Sequence, residues 1–152
     1  DFKPHKIYYA TVIEEADKGN DAILPLLAQY KNPNDRQRIN KLLKLNLKKA
    51  GVCSHEACEA ISNWNDPAFE WYAKAACQAT IKQEYYYAWD ILHLLCAYPA
   101  PWSYQILKKL LTQKGDYSYS DTAKDYLTEL YKTHPVPPIF KPLYDRYVAR
   151  KK

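Results

Sequence analysis

The sequence predicts an all-α protein: a short α-solenoid of about four helical hairpins at a 34-residue period, behind an N-terminal capping helix. Three observations carry this. Apolar residues recur at helical spacing along most of the chain, and no stretch alternates with period two for long enough to claim a strand. Prolines 33, 67 and 101 recur 34 residues apart. The segment ILPLLAQYKNPNDRQRINKLL (23–43) also falls on ILHLLCAYPAPWSYQILKKLL (91–111). In that alignment Ile23, Leu24, Leu26, Leu27, Tyr30, Pro33, Gln37, Lys41, Leu42 and Leu43 all meet an identical residue. Chance would supply about one or two such identities.

At 152 residues the chain has the length of one domain, large enough to bury a core. Apolar residues make up 47% and charged residues 26%, the balance of a globular chain. No apolar run reaches the roughly 20 residues that span a bilayer. Only three glycines occur, so neither GxGxxG nor GxxxxGK[ST] can be written, and nucleotide binding through a Gly-rich loop is excluded. The net charge of +5 favours acidic partners slightly. Methionine is absent altogether, so the chain reads as a processed product or a trimmed clone.

The first helix is expected over 5–18, as the cap. Hairpins follow over 21–50, 54–83, 85–114 and 120–150, all within one domain spanning 1–152. Their helices fall near 21–31, 34–50, 54–64, 67–83, 85–98, 101–114, 120–133 and 138–150. In the first hairpin Ile23, Leu24, Leu27 and Tyr30 mark the buried side of the first helix. Each recurring proline suits the start of the second helix, where its missing N–H costs nothing. That helix carries Ile39, Leu42, Leu43 and Leu47 on one face, with Lys41, Lys44 and Lys48 on the other. It ends at Gly51. At offset 34 Tyr30 falls on Trp64, Asn32 on Asp66 and Pro33 on Pro67. The fourth unit puts Pro137 in register after two extra residues, which the loop KGDYSYS (114–120) can supply.

On these residues the unit resembles HEAT repeats. ILPLLAQYKNPNDRQR is similar to that family's first helix, its Asx-Pro turn and an arginine five residues later, Arg38. NDPAFEWYAKAACQA (65–79) is similar to the same turn followed by a small-residue second helix. Residues 21–111 carry the resemblance well and 120–150 loosely. The chain departs from the pattern at Tyr72 and Ile106, the equivalents of Arg38. The resemblance implies a right-handed stack whose second helices line a concave surface.

The stretch CSHEAC (53–58) places Cys53, His55, Glu56 and Cys58 within six positions. His55-Glu56 is similar to the His-Glu pairs of HEAT-like iron enzymes such as deoxyhypusine hydroxylase. The repeat equivalents here are Asp21-Ala22 and Trp89-Asp90, so a di-iron centre of that kind lacks its ligands. Structural zinc needs a second ligand pair nearby, and Cys77 and Cys96 lie in other helices. The favoured reading is a helix start: Ser54 as N-cap, His55 at N1, Glu56 at N2, and Cys53 and Cys58 at the two positions of a hydrophobic staple. No catalytic residue, metal site or cofactor is expected. A disulfide could replace the staple, and Cys77 could bridge Cys96 if the turn between their helices falls near residues 84–88; four cysteines allow three pairings. Disulfides among Cys53, Cys58, Cys77 and Cys96 are preferred over free buried thiols, which implies a periplasmic or secreted protein.

His5, His93 and His134 are scattered, and Glu14, Glu15 and Asp17 read as a solvated acidic face. Fifteen tyrosines and four tryptophans stand out. Tyr117 and Tyr119, in a polar loop, are expected to be exposed and fit for protein contact. The outward face of the second helices offers Lys41, Lys44, Lys48, Trp71, Lys74, Gln78, Lys108 and Lys109. This basic ridge is expected to dock another protein with an acidic surface; an ordinary solvated lysine face is the competing reading. The expected function is therefore a non-enzymatic, exported protein-binding module. By class rather than by motif, that includes inhibitors and toxin-immunity proteins. Nucleic-acid binding, with steep salt dependence, is the alternative. A metal enzyme using His55 and Glu56 comes last.

Overall fold

The computed structural model describes residues 5–83, 88–116 and 118–149, which are mostly helical with no strand among them. The helices are α1 (Tyr9–Asp17), α2 (Leu24–Gln29), α3 (Arg36–Ala50), α4 (His55–Trp64), α5 (Glu70–Ile81), α6 (Ala88–Ala97), α7 (Pro101–Thr112), α8 (Ser120–Leu130) and α9 (Lys141–Leu143). The YYY stretch at 85–87 and Tyr117 lie outside the described residues.

Local chemistry sets the helix starts. Asn20, Asn32 and Asp66 each accept the backbone N–H two residues on, from Ala22, Asn34 and Ala68. Such an Asx acceptor satisfies an otherwise orphaned donor at the helix entry. Each opens a one-turn 3₁₀ segment, over Asp21–Ile23, Pro33–Asp35 and Pro67–Phe69, that runs into the α-helix behind it. Pro101 is the first residue of α7, and Ser103 Oγ accepts the Ala100 N–H at 2.8 Å. In the last unit the first helical residue is Pro138 rather than Pro137. The expected helix over 138–150 is also interrupted. Pro142 has no N–H to donate, α9 is one turn long, and a π-turn over Tyr144–Val148 follows it.

The helix ends follow the same logic. Gly51 (φ +69°) closes α3 by donating its N–H to Leu47 O at 2.7 Å, in the left-handed region that suits glycine. Asn65 (φ +51°) does the same for α4. Lys31 (φ +47°) occupies that region without being Gly or Asn.

The helices pack in two rows. α2 lies against α4, α4 against α6 and α6 against α8; α3 touches α5, and α5 touches α7. α1 covers the free sides of α2 and α3. Between the rows sits one core, with Leu24, Leu27, Ile39, Leu43, Ile61, Phe69, Tyr72, Ile91, Leu92, Leu94 and Leu95 fully buried. Phe69 meets Trp64 edge-on at 5.1 Å between ring centroids. Asn46 is one of the polar side chains buried with this core. Asn46 donates to Asp21 Oδ2 (2.8 Å) and accepts from Ser54 Oγ (2.8 Å) and Tyr72 OH (3.3 Å). It takes a buried place on α3, while Leu47 is only partly buried.

The expected disulfides are corrected: all four cysteines are free thiols. Cys77 on α5 and Cys96 on α6 form no bridge across their hairpin, and Cys96 lies against Tyr131. Cys53 and Cys58 are neighbours, as the staple requires, but as thiols. Cys58 Sγ donates to Asp90 O at 3.1 Å.

Candidate functional site

The second-helix row presents its polar side outward because α3, α5 and α7 each bury the opposite side. On α3, Ile39, Leu42, Leu43 and Asn46 point inward, leaving Lys41, Lys44 and Lys48 exposed. On α5, Tyr72, Ala73, Ala76 and Cys77 are buried, leaving Trp71, Lys74 and Gln78 exposed. On α7, Ile106, Leu107, Leu110 and Leu111 are buried, leaving Lys108 and Lys109 exposed. All eight helical residues expected on a docking face are therefore at the surface. Tyr119 is only partly so: it is half-buried against the core, and its N–H donates to Gln113 Oε1 at 3.0 Å.

Two open hollows interrupt this face. The first, about 440 Å³, lies between α1 and α3 and is lined by Lys41, Lys44, Lys48, Arg38, Leu42 and Leu45, among others. The second, about 590 Å³, lies between α5 and α7, and its lining includes Lys74, Gln78, Lys109, Trp102 and Ile106. Trp71 lines neither hollow; its Nε1 donates to Asn40 Oδ1 at 2.7 Å and ties α5 to α3. Trp102 Nε1 donates to Glu70 Oε1 at 3.4 Å and ties α7 to α5. Lys108 is exposed outside both hollows.

The charge at the first hollow is predominantly basic: Asp17 is the one acid in its lining, and Arg38 and the charge of Lys41 both act on it. Arg38 is consumed by acids, with Nε 2.7 Å from Asp17 Oδ1 and Nη1 2.5 Å from Asp35 Oδ1. That pairing holds the Asp17 carboxyl below the usual carboxylate range. Lys41, Lys44 and Lys48 have no ion-pair partner among the described residues. The acidic cluster of α1 is likewise satisfied locally, Lys18 lying 3.3 Å from Glu14 and 3.6 Å from Glu15. Arg38 and Leu45 were not part of the expected ridge. Leu45, the apolar residue among the lysines of α3, carried a signal: it breaks the polar face.

A different constellation forms on the first-helix row. His55 is 73% exposed, and its Nδ1 lies 3.1 Å from Asp90 Oδ1; this hydrogen bond raises the His55 pKa. His55 on α4 thus pairs with Asp90 on α6 rather than with its neighbour Glu56. His93 Nδ1 lies 2.9 Å from Tyr126 OH, and desolvation lowers its pKa. Among the described residues, no three His, Cys, Asp or Glu side chains converge to hold a metal. Ser54 is the N-cap of α4, accepting the Ala57 N–H at 3.2 Å, as the helix-start reading of CSHEAC requires.

The molecule so described is an all-helical protein with a basic, hollowed face. No protein-family model, curated protein or solved structure matches the chain. Among the described residues no helix is long and apolar enough to cross a membrane.

Proposed function

We propose that the chain is a short α-solenoid of HEAT-like hairpins that acts without catalysis, docking another protein with an acidic surface on its second-helix row. Several side-chain bonds that join residues roughly one period apart support the periodicity. Arg36–Asp66 spans 30 residues, Asn40–Trp71 31, Glu70–Trp102 32, and His93–Tyr126 33. The docking reading rests on one observation above all: three lysines of α3 rim a hollow and form no salt bridge among the described residues, the one acid of the lining, Asp17, being bound by Arg38. Lysines left unpaired beside a concavity attract and orient an anionic partner. The free thiols withdraw the disulfide ground for export, and an inhibitor or immunity role follows from class alone, so the proposal is confined to docking.

Titration with a labelled Glu-rich peptide tests it. Affinity should fall as salt rises towards about 0.15 M, where screening acts over about 8 Å. Charge reversal of Lys41, Lys44 and Lys48 to Glu should weaken it at least about tenfold. Tighter binding of a single-stranded oligonucleotide would favour nucleic acid instead.

A further inference from the structure

We infer that the hollow between α1 and α3 seats a single apolar side chain of an acidic segment, with Leu42 and Leu45 as floor and Lys41, Lys44 and Lys48 as rim. This rests on the docking reading and specifies its occupant. A purely electrostatic face needs no concavity and no exposed leucine, yet both are present. Leu42 is buried, while Leu45 keeps 36% of its surface exposed on the polar side of α3. Leu45 Cδ2 also sits 3.4 Å from where a Cβ at Gly19 would lie, so the turn after α1 closes directly onto the leucine. The hollow of about 440 Å³ has room for a leucine- or phenylalanine-sized side chain. Its lysines stand at i, i+3 and i+7, one above another on the same side of the helix. An acidic segment laid along them would bring carboxylates to the rim and set one apolar residue over the floor. A desolvated apolar anchor within a charged rim is the usual division of labour at protein interfaces.

The test compares two short labelled peptides on the intact chain, one Glu-rich with a single central leucine and a copy with serine in its place. Wild type should bind the leucine peptide about tenfold more tightly. Leu45→Ser should remove most of that difference, and Lys44→Glu should weaken both peptides. Swapping the residue on the peptide leaves the protein's folding untouched, so the comparison stands even if Leu45→Ser is unstable. Equal binding of both peptides to wild type, with loss on Lys44→Glu, would overturn the anchor and leave acidic docking intact. Binding of neither peptide at low salt would overturn the docking reading and the anchor together.

Discussion

Arg36 and Asp66 join two successive proline turns: Arg36 Nη2 lies 2.7 Å and Nε 3.0 Å from Asp66 Oδ2, and the carboxylate is 9% exposed. Asp66 also caps its own turn through the Ala68 N–H, while Tyr98 OH donates to its backbone carbonyl. One residue thus links α3, the turn before α5 and the segment that follows α6. Its neighbours repeat the theme: Tyr9 OH donates to Asp35, and Asn32 Nδ2 donates to Tyr9 OH.

Acid should weaken the protein through this residue. The hydrogen bond from Arg36 holds the Asp66 carboxyl below its usual range. A carboxyl depressed in the folded state contributes fully above its unfolded value of about 3.9. That contribution is lost as pH falls through the folded value. Asp66→Asn keeps a cap acceptor and removes the charge. It should cost about 1 kcal/mol near neutral pH, discounted because Arg36 is partly exposed. Urea melts at neutral and acid pH check this, and the variant should lose less stability than wild type on acidification. Asp17 and Asp21, also depressed, sustain the remaining decline.

Asn46→Ala should destabilise by about 2 kcal/mol, because it strands Ser54 Oγ and Tyr72 OH without their acceptor. The same change should raise the Asp21 carboxyl pKa, which Asn46 lowers more than any other neighbour. Denaturant melts give the first quantity and an NMR titration of the Asp21 side chain gives the second. A loss of stability with an unmoved Asp21 would contradict the network.

Lys31→Gly should stabilise. Lys31 holds φ +47°, where a Cβ costs on the order of 1 kcal/mol. Part of the gain is returned to the more flexible unfolded chain, so the expected net is a few tenths of a kcal/mol upward. A lower melting temperature would show that Lys31 makes compensating contacts.

The thiols should be present and slow. Burial raises the pKa of Cys96 to about 12 and that of Cys77 still further, and only the thiolate reacts. Alkylation near pH 8 should label native protein slowly and denatured protein at all four cysteines. An intact mass that rises on reduction would contradict the free-thiol state.

Much of the fold was legible because its signals are local. The Asx-Pro turns at 32–33 and 66–67, the Ser54 cap and the Gly51 stop each act within a few residues, and each is present. What failed depended on distant partners. Nothing in the spacing singles out Asn46, whose role appears only when Asp21, Ser54 and Tyr72 are brought to it. Whether Cys77 meets Cys58 or Cys96 turns on helix rotation, which spacing leaves open. Tyr119 is expected to be exposed because its loop is polar, yet it is half-buried against the core. The lysines of the candidate face were readable from the period of α3. The hollow beneath them was not, since it depends on how closely α1 and Gly19 approach Leu45.

The most direct test of the docking face is an amide chemical-shift map of the labelled protein titrated with the Glu-rich peptide. Shifts should concentrate on the exposed positions of α3, α5 and α7, with Lys41, Lys44 and Lys48 foremost. Shifts confined to α4, α6 and α8, around His55 and Trp89, would contradict the account and place the working surface on the opposite row.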